Sequence, residues 1–448
     1  MINYYILLGL KGREIRIIEI KQEEERIVVE LESKKEKVRC KYCNKFTRSV
    51  HDKLKPIKSV YTDSCGQPVI LIIHKRRFHC YNCGKIFTEE MNLNSEDGSI
   101  SNAVKIQIRN DLLDYNLTIK AIADKNHVTP GIVRKELLNA TSLIPDFIKN
   151  LPKVISFDEF KADTLEGKYA FILNDPIHKK VLDILPIRKK EYLIQYFTHT
   201  ENRHSVEFVI SDMYEPYLLV QQIMFPKAKY VVDKFHYIRY ILKALDKIRI
   251  RLQDNFGSKS KKYKLLKNKK NVSLLRKHSA EVEWWVYTKR YKNGHMVDVL
   301  PGDVLRELLA IDDELKRGYQ LKEEFLDIVN HISYDEAEEV LLNWIELCKE
   351  SKIKEMIEAS KTIENWLPHI VNSFIDKRYT NGFTEGTNNK IKVIKRNAFG
   401  YKNFKFFRKR LLYIFNYKIS GGTSKVRKSN KQVKNKKELT DMILLNNR

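Results

Sequence analysis

No stretch of the 448-residue chain approaches the ~18–20 uninterrupted apolar residues of a membrane span. The apolar run Tyr4–Leu10 has no basic segment before it and no small-residue cleavage site after it, so it does not read as a signal peptide. Neither a strongly amphipathic basic helix nor a lipidation signal is present, which argues against a membrane surface as partner. Acids are scarce beside bases: 57 Asp and Glu face 83 Lys and Arg, a formal charge of +26. The excess recurs along most of the chain, which favours a nucleic-acid partner over a lone localisation tag. Cysteines number only six, and four of them form two Cys-x-x-Cys pairs. Without an export signal, that pattern implies metal ligation in a reducing cytoplasm.

Taken in order, residues 1–37 are an N-terminal lead-in of short apolar runs broken by charges, with no chemistry assigned. Residues 38–92 read as a zinc ribbon. Cys40, Cys43, Cys80 and Cys83 supply four thiolates for a structural Zn²⁺, with 36 residues between the pairs. A redox role would need a neighbouring βαβ pattern, and none is here. Cys65 is left as a core or loop thiol. Residues 100–145 read as a helix-turn-helix DNA-binding domain. In it Thr118 starts one helix, and Thr129-Pro130 caps and opens the next. That second helix would offer Thr129, Gly131, Arg134 and Lys135 to a DNA groove.

From 152 to 235 the pattern becomes α/β: strands at Lys153–Phe157, Tyr169–Leu173, Lys180–Leu185, Val206–Ser211 and Lys229–Val232, with helices between. Asp158, Asp212 and Asp233 each follow a strand, where open α/β sheets bind ligands. Residues 236–378 read as a Lys-rich all-α insertion, with Trp284, Trp285, Trp344 and Trp366 as core anchors and Ser258–Asn271 as a basic patch. Residues 379–418 return to the sheet domain, and 419–448 form a basic tail. The fold class is thus multidomain α+β.

The most telling stretch is Thr380–Leu412. It holds one acid, Glu385, ahead of a Lys/Arg-rich run. Asn381-Gly382 predicts a turn and Thr384 a helix cap. Steps of three and four from Glu385 reach Asn388, Asn389 and Lys392 on one face, while Ile391 and Ile394 turn elsewhere. If the insertion folds aside, Asp158, Asp212 and Glu385 meet at one sheet edge. Such a set suits two Mg²⁺ or Mn²⁺ ions in phosphoryl transfer on DNA, and without cations the clustered acids would have raised pKa values.

The order of zinc ribbon, helix-turn-helix, Phe-Asp158-Glu-Phe, Ser-Asp212-Met, Asp233-Lys-Phe-His236 and Thr-Glu385-Gly-Thr-Asn-Asn-Lys-Ile-Lys resembles the DDE transposases of bacterial insertion sequences. The ISL-three family is the nearest match, over roughly residues 38–415. The resemblance implies an RNase H-like catalytic domain interrupted by the insertion, with Asp158, Asp212 and Glu385 as the metal-binding triad. Asp233 and His236 match the Asp-x-x-His signature of related transposases, with the two side chains paired. Asp233 competes with Asp212 as second catalytic aspartate, and Glu159 with Asp158. If the strand continues through it, alternation turns Glu159 to the opposite face.

On this reading the two N-terminal modules bind the element's terminal inverted repeats in double-stranded DNA. Water activated at the metals cuts the ends, and the freed 3′-hydroxyl attacks target DNA. Lys390, Lys392, Lys395 and Arg396 would hold phosphates, His236 would orient a scissile phosphate or brace the second aspartate, and pairing two ends would need a homodimer or larger. The expected location is the bacterial cytoplasm, on the nucleoid. The competing readings are a transposase-derived DNA-binding regulator with an inert nuclease-like domain, and an RNA-binding protein.

Overall fold

The computed structural model describes residues 14–416 apart from 65, 92, 94–99, 283, 285 and 293–294. The apolar run Tyr4–Leu10, Cys65, Trp285 and the basic tail therefore lie outside the described residues.

Among the described residues, nine strands come before any helix: β1 (Ile15–Gln22), β2 (Ile27–Ser33), β3 (Val38–Arg39), β4 (Phe46–Thr47), β5 (Val50–Lys53), β6 (Ile57–Ser64), β7 (Gln67–His74), β8 (Arg76–His79) and β9 (Ile86–Thr88). The boundary expected at residue 37 cuts through a sheet. The lead-in strands join the linker between the two cysteine pairs in the order β1-β2-β7-β6, with β2 parallel to β7. Alternation explains it: Val29 and Leu31 of β2 and Val69, Leu71 and Ile73 of β7 all point into one buried layer. The cysteine pairs sit on separate small sheets, β3-β4 and β5-β8-β9.

Three helices follow, α1 (Asn102–Asp111), α2 (Ile119–Lys125) and α3 (Pro130–Ala140). Thr118 caps α2 by accepting the Ala121 N–H at 3.0 Å. Thr129 takes the same position on α3 but makes no side-chain cap bond. Pro130, with its φ already helical and no N–H to satisfy, starts that helix instead. His127, at φ 53°, turns the chain between α2 and α3. Ile108, Ile122, Val133 and Leu137 close the module's core.

The central sheet contains β10 (Val154–Lys161), β11 (Tyr169–Asp175), β12 (Lys180–Leu185), β13 (Phe208–Ser211) and β14 (Lys229–Val232). Their order is β12-β11-β10-β13-β14. The first three strands are antiparallel to one another, and β10, β13 and β14 run parallel. Helices α4 (Lys190–Phe197) and α5 (Glu215–Met224) make the connections. Unlike the expectation, β10 continues through Asp158 to Lys161. Its pairing with β13 stops at Ser156, while β11 follows it to the end. Asp158 therefore sits mid-strand on one side and beyond the end of a partner on the other.

From β14 the chain enters α6 (Lys234–Asp254), α7 (Lys261–Lys267) and α8 (Lys269–Arg276). After the hairpin β15 (Thr288–Lys292)–β16 (His295–Val299) come α9 (Pro301–Leu309), α10 (Asp313–His331), α11 (Tyr334–Glu350), α12 (Lys354–Asn365) and α13 (Leu367–Val371). The hairpin corrects the expectation of an all-α insertion. The insertion is not a separate globule, since its helices share one core with a face of the sheet. Ile155 and Phe157 of β10 belong to the same cluster as Ile241, Leu245 and Trp344. Trp344 is buried and donates to the Leu321 carbonyl at 2.8 Å, as a core anchor should. The opposite face of the sheet is covered by α14 (Gly382–Asn397) and α15 (Phe404–Asn416), through Phe160 and Ile172 against Ile391, Ile394, Phe407 and Leu411.

Candidate active site

Successive residues of β10 serve the two faces in turn, and this alternation builds the site. Glu159 faces the insertion side, accepting from Tyr217 Oη at 2.9 Å and pairing with Arg188. Asp158 faces α14, where Asn388 Nδ2 donates to its Oδ2 at 2.9 Å. The parallel register pairs Ser156 with Ile210 and Ser211 with Val232. Continued past the strand ends, it brings Asp158, Asp212 and Asp233 into one row across β10, β13 and β14.

Helix α14 lays Glu385 over this row. Its N-cap is Asn381, not Thr384 as expected. Asn381 donates its backbone N–H to Asp233 Oδ1 and its side-chain amide to the Phe157 carbonyl, both at 3.3 Å. Thr384 lies one turn inside, buried, and accepts from Asn174 Nδ2 at 2.8 Å. Its job is to seat the helix on the sheet. A cleft of about 390 Å³ results, lined by Asp158, Asp233, His236, Glu385, Asn388 and Lys392 among others. Asp212 stands outside the lining, in contact with His236. The nearer partner of His236 is Asp212, with Nε2 2.6 Å from Oδ1. Asp233 Oδ2 is 4.0 Å away, which corrects the expected Asp233–His236 pair. Close as it is, Asp212 Oδ1 receives no hydrogen bond of acceptable geometry and is buried.

The electrostatics follow from this crowding. Burial, and then the facing Asp212 carboxylate, push the Asp158 pKa up to about 7. Burial also raises Asp233. For His236, burial opposes the charged form, but contact with Asp212 outweighs it and the pKa is raised.

The cysteines form the second site. Sγ–Sγ distances are 3.7 Å for Cys40–Cys83 and 3.5 Å for Cys43–Cys80, close to the ~3.8 Å edge of a tetrahedron with Zn–S bonds of ~2.3 Å. Among the described residues, these four make the only group of three or more metal-ligating side chains whose donor atoms lie within 4.8 Å of one another. The carboxylates of the cleft are spread wider. Both pairs use the same turn: Asn44 N–H donates to the Cys40 carbonyl at 2.9 Å and Gly84 N–H to the Cys80 carbonyl at 2.7 Å. Asn44 and Gly84 sit at φ 64° and 69°, a left-handed conformation that Gly and Asn tolerate best. The Lys45 N–H, outweighing partial burial of the thiol, lowers the Cys43 pKa to about 6.

A family model described as a transposase, of the DDE type and the ISL3 group, matches residues 155–411, more than half of the chain. The chain belongs to the ISL3 family of DDE transposases. A second model, described as the zinc-finger of transposase IS204/IS1001/IS1096/IS1165, matches residues 36–83. The transposase for insertion sequence element IS1001 of Bordetella parapertussis is 24% identical over 375 residues, covering 82% of this chain and 86% of that one. A Lactococcus lactis subsp. lactis protein named ATP-dependent protease is 33% identical over 124 residues, 28% of this chain and 38% of its own. The chain is a DNA transposase with a zinc ribbon ahead of a mixed α/β catalytic domain, and no described helix is long and apolar enough to cross a membrane.

The other predicted residues of this transposase scatter more. Thr129, Gly131, Arg134 and Lys135 lie exposed at the start of α3. Among Lys390, Lys392, Lys395 and Arg396, only Lys392 joins the cleft lining. Lys395 is spent on the Lys161 carbonyl and on Asp163, the latter at 3.2 Å, so it is not a free phosphate ligand. Asn388 and Asn381 were missed as site residues. The three-residue step from Glu385 to Asn388 was the available signal, but contact with Asp158 spans 230 positions and no local pattern carries it.

Raised pKa values in the cleft set a pH dependence. For Asp158 the folded state binds its proton more tightly than the unfolded chain, so its contribution to stability falls as pH rises from about 4 to about 7, and the raised Asp233 acts in the same direction. The contribution of His236 has the same sign, being complete below about 6.5 and lost as pH rises through its folded pKa. Without added divalent cation, the transposase is therefore expected to lose melting temperature between pH 5 and 8. Asp158→Asn should flatten that slope in a thermal-shift series, and Mg²⁺ should flatten it for the wild type. A wild-type slope matching that of Asp158→Asn would show that Asp158 does not titrate there.

Proposed function

We propose that Asp158, Asp212 and Glu385 are the metal-binding triad of an RNase H-like domain that cuts the element's ends and joins their 3′-hydroxyls to target DNA. The observation that carries this reading is the row formed by Asp158, inside β10 but past the end of its pairing with β13, and Asp212, just past β13, with Glu385 held near it by α14 in a sheet of order β12-β11-β10-β13-β14. The donor set fits Mg²⁺ or Mn²⁺: hard oxygens, a buried Asp212 Oδ1 without a hydrogen bond, and an Asp158 that burial holds near pKa 7. Two such ions would supply Lewis-acid stabilisation of an in-line displacement at phosphorus.

The chain's own residues divide the remaining work. Asn388 fixes the Asp158 carboxylate through its Oδ2. His236 braces Asp212, while Asp233 ties the start of α14 to β14 and so carries Glu385 into place. Lys392 would hold a phosphate beside the acids, with Lys390 and Arg396 exposed farther round or along the same helix. Upstream, α2 and α3 act as a helix-turn-helix and, with the zinc ribbon, bind the terminal inverted repeats. A homodimer or larger assembly brings two ends together.

The test is cleavage of duplexes bearing the terminal repeats, with Mg²⁺ or Mn²⁺. Asp212→Ala and Glu385→Ala should lose roughly a thousandfold or more in rate, since a metal ligand stabilises the transition state by several kcal/mol. Asp233→Ala, a supporting residue here, should lose about 10–100-fold. An inert Asp233 variant beside an active Asp212 variant would overturn the assignment.

A further inference from the structure

The insertion carries a charge pattern that the cleft does not use. Between Asp254 and Glu281 the sequence has nine Lys or Arg and no acid. In the fold, α7 and α8 bring this run back against the far end of α6. There Arg249, Lys267, Lys269 and Arg276 line an open cavity of about 590 Å³, whose described lining includes no carboxylate. Arg249 is buried and held by Asp246, by Gln253 and by the Leu266 carbonyl. Arg276 reaches the same Asp246, so two of the four cations share one neighbouring acid.

Helix α6 links this cavity to the catalytic cleft. It begins beside His236 and passes Arg249 thirteen residues later, about 20 Å at ~1.5 Å per residue. On its exposed side Arg239 and Lys243 stand one turn apart over the rings of Phe235 and Tyr240, 5.7 and 5.9 Å from their centroids. Among the described residues neither has an ion-pair partner. Arg239 and Lys243 thus stand along the helix axis between the acids and the cavity, with Lys247, one turn on, paired to Glu358.

We propose that this ridge and the cavity at its end form a second phosphate-binding surface, gripping the backbone of a duplex whose scissile step lies in the cleft. The proposal rests on the catalytic reading above. A duplex advancing ~3.4 Å per base pair covers the 20 Å in about six base pairs, so the grip falls about six pairs from the cut. Spread and openness argue for a polymer. A small anion or nucleotide calls for an enclosed pocket with converging polar groups, whereas these cations are spread over α6, α7 and α8 on an open face.

The experiment uses the full-length transposase and duplexes carrying its element's terminal sequence, with the double variant Lys267→Gln/Lys269→Gln, both positions being exposed, and separately Lys243→Gln. Loss of two phosphate contacts should reduce the slope of log Kd against log [KCl] by about 1.8 for the double variant, and loss of one by about 0.9 for Lys243→Gln. Arms are then trimmed on one side of the scissile step and afterwards on the other. On one side, cutting the arm from about ten to about four base pairs should bring the wild type down to the double variant. Equal salt slopes, or a gap that survives on the short arm from either side, would overturn the second surface while leaving cleavage intact. A wild type that neither binds nor cuts these duplexes overturns the catalytic reading and this proposal together.

Discussion

Asp158→Asn should stop strand cleavage while leaving DNA binding and folding in place, and should make the metal-free protein more stable. The first half follows from position. Asp158 is held by Asn388 of α14 and faces the same cleft as Glu385. An amide there keeps the shape but is a far poorer ligand for a hard cation. The several kcal/mol of transition-state stabilisation at stake correspond to roughly a thousandfold in rate or more. The second half follows from burial. A carboxyl whose pKa is pushed to about 7 is disfavoured in its charged form, on the order of a few kcal/mol at alkaline pH. A neutral amide escapes that cost. Cleavage kinetics, duplex affinity and thermal melting on one preparation separate the two halves. A variant that loses cleavage together with melting temperature would instead mean that the side chain is structural.

How much of this was readable beforehand depends on the range of the interaction that decides each feature. The five strands and two connecting helices from Val154 to Val232 were legible because apolar runs of four to eight residues alternate with helical spacing, which is a local signal. The placing of Asp212 and Asp233 directly after strands was legible for the same reason. That Asp158 lies inside β10 was not, because the strand's end is set on one side by β11 and on the other by β13. The lead-in strands show the limit more sharply. Val29 and Leu31 find their layer only against β7, some forty positions on, across the first zinc-binding turn. The hairpin β15–β16 is built from Thr-Lys-Arg-Tyr-Lys and His-Met-Val-Asp-Val, and its charge reads as one more polar stretch of a Lys-rich segment. Thr384 looked like a cap because Thr before a helical pattern commonly is one. In the fold the helix starts earlier, and the hydroxyl is needed beneath it by Asn174. Local chemistry was therefore a good guide to which residues matter and a poor one to what holds them.

The opposite phenotype is expected from the zinc ribbon. Cys80→Ser should abolish stoichiometric zinc and the binding of the terminal repeats, and yet leave the α/β core folded. The ribbon's buried cluster is Val38, Cys40, Phe78, Cys80 and Phe87, so two of its five members are themselves ligands. A core of that size does not sustain a fold without a cross-link or metal. Binding of a structural zinc contributes on the order of 10–16 kcal/mol in isolated finger peptides, which is folding energy. The two cysteine turns lie on different sheets, and apart from the metal their tie includes the Thr47 hydroxyl donating to the His79 carbonyl at 2.7 Å. Losing one thiolate removes the larger part of that connection. The central sheet draws on a separate cluster, from Ile155 to Trp344, and its melting transition should persist. Zinc content by metal analysis, repeat binding by gel shift and the main transition by calorimetry decide the matter. A Cys80→Ser protein that keeps a full equivalent of zinc would rule out the four-thiolate site. One that loses zinc but still binds the repeats with wild-type affinity would assign end recognition to α2 and α3 alone.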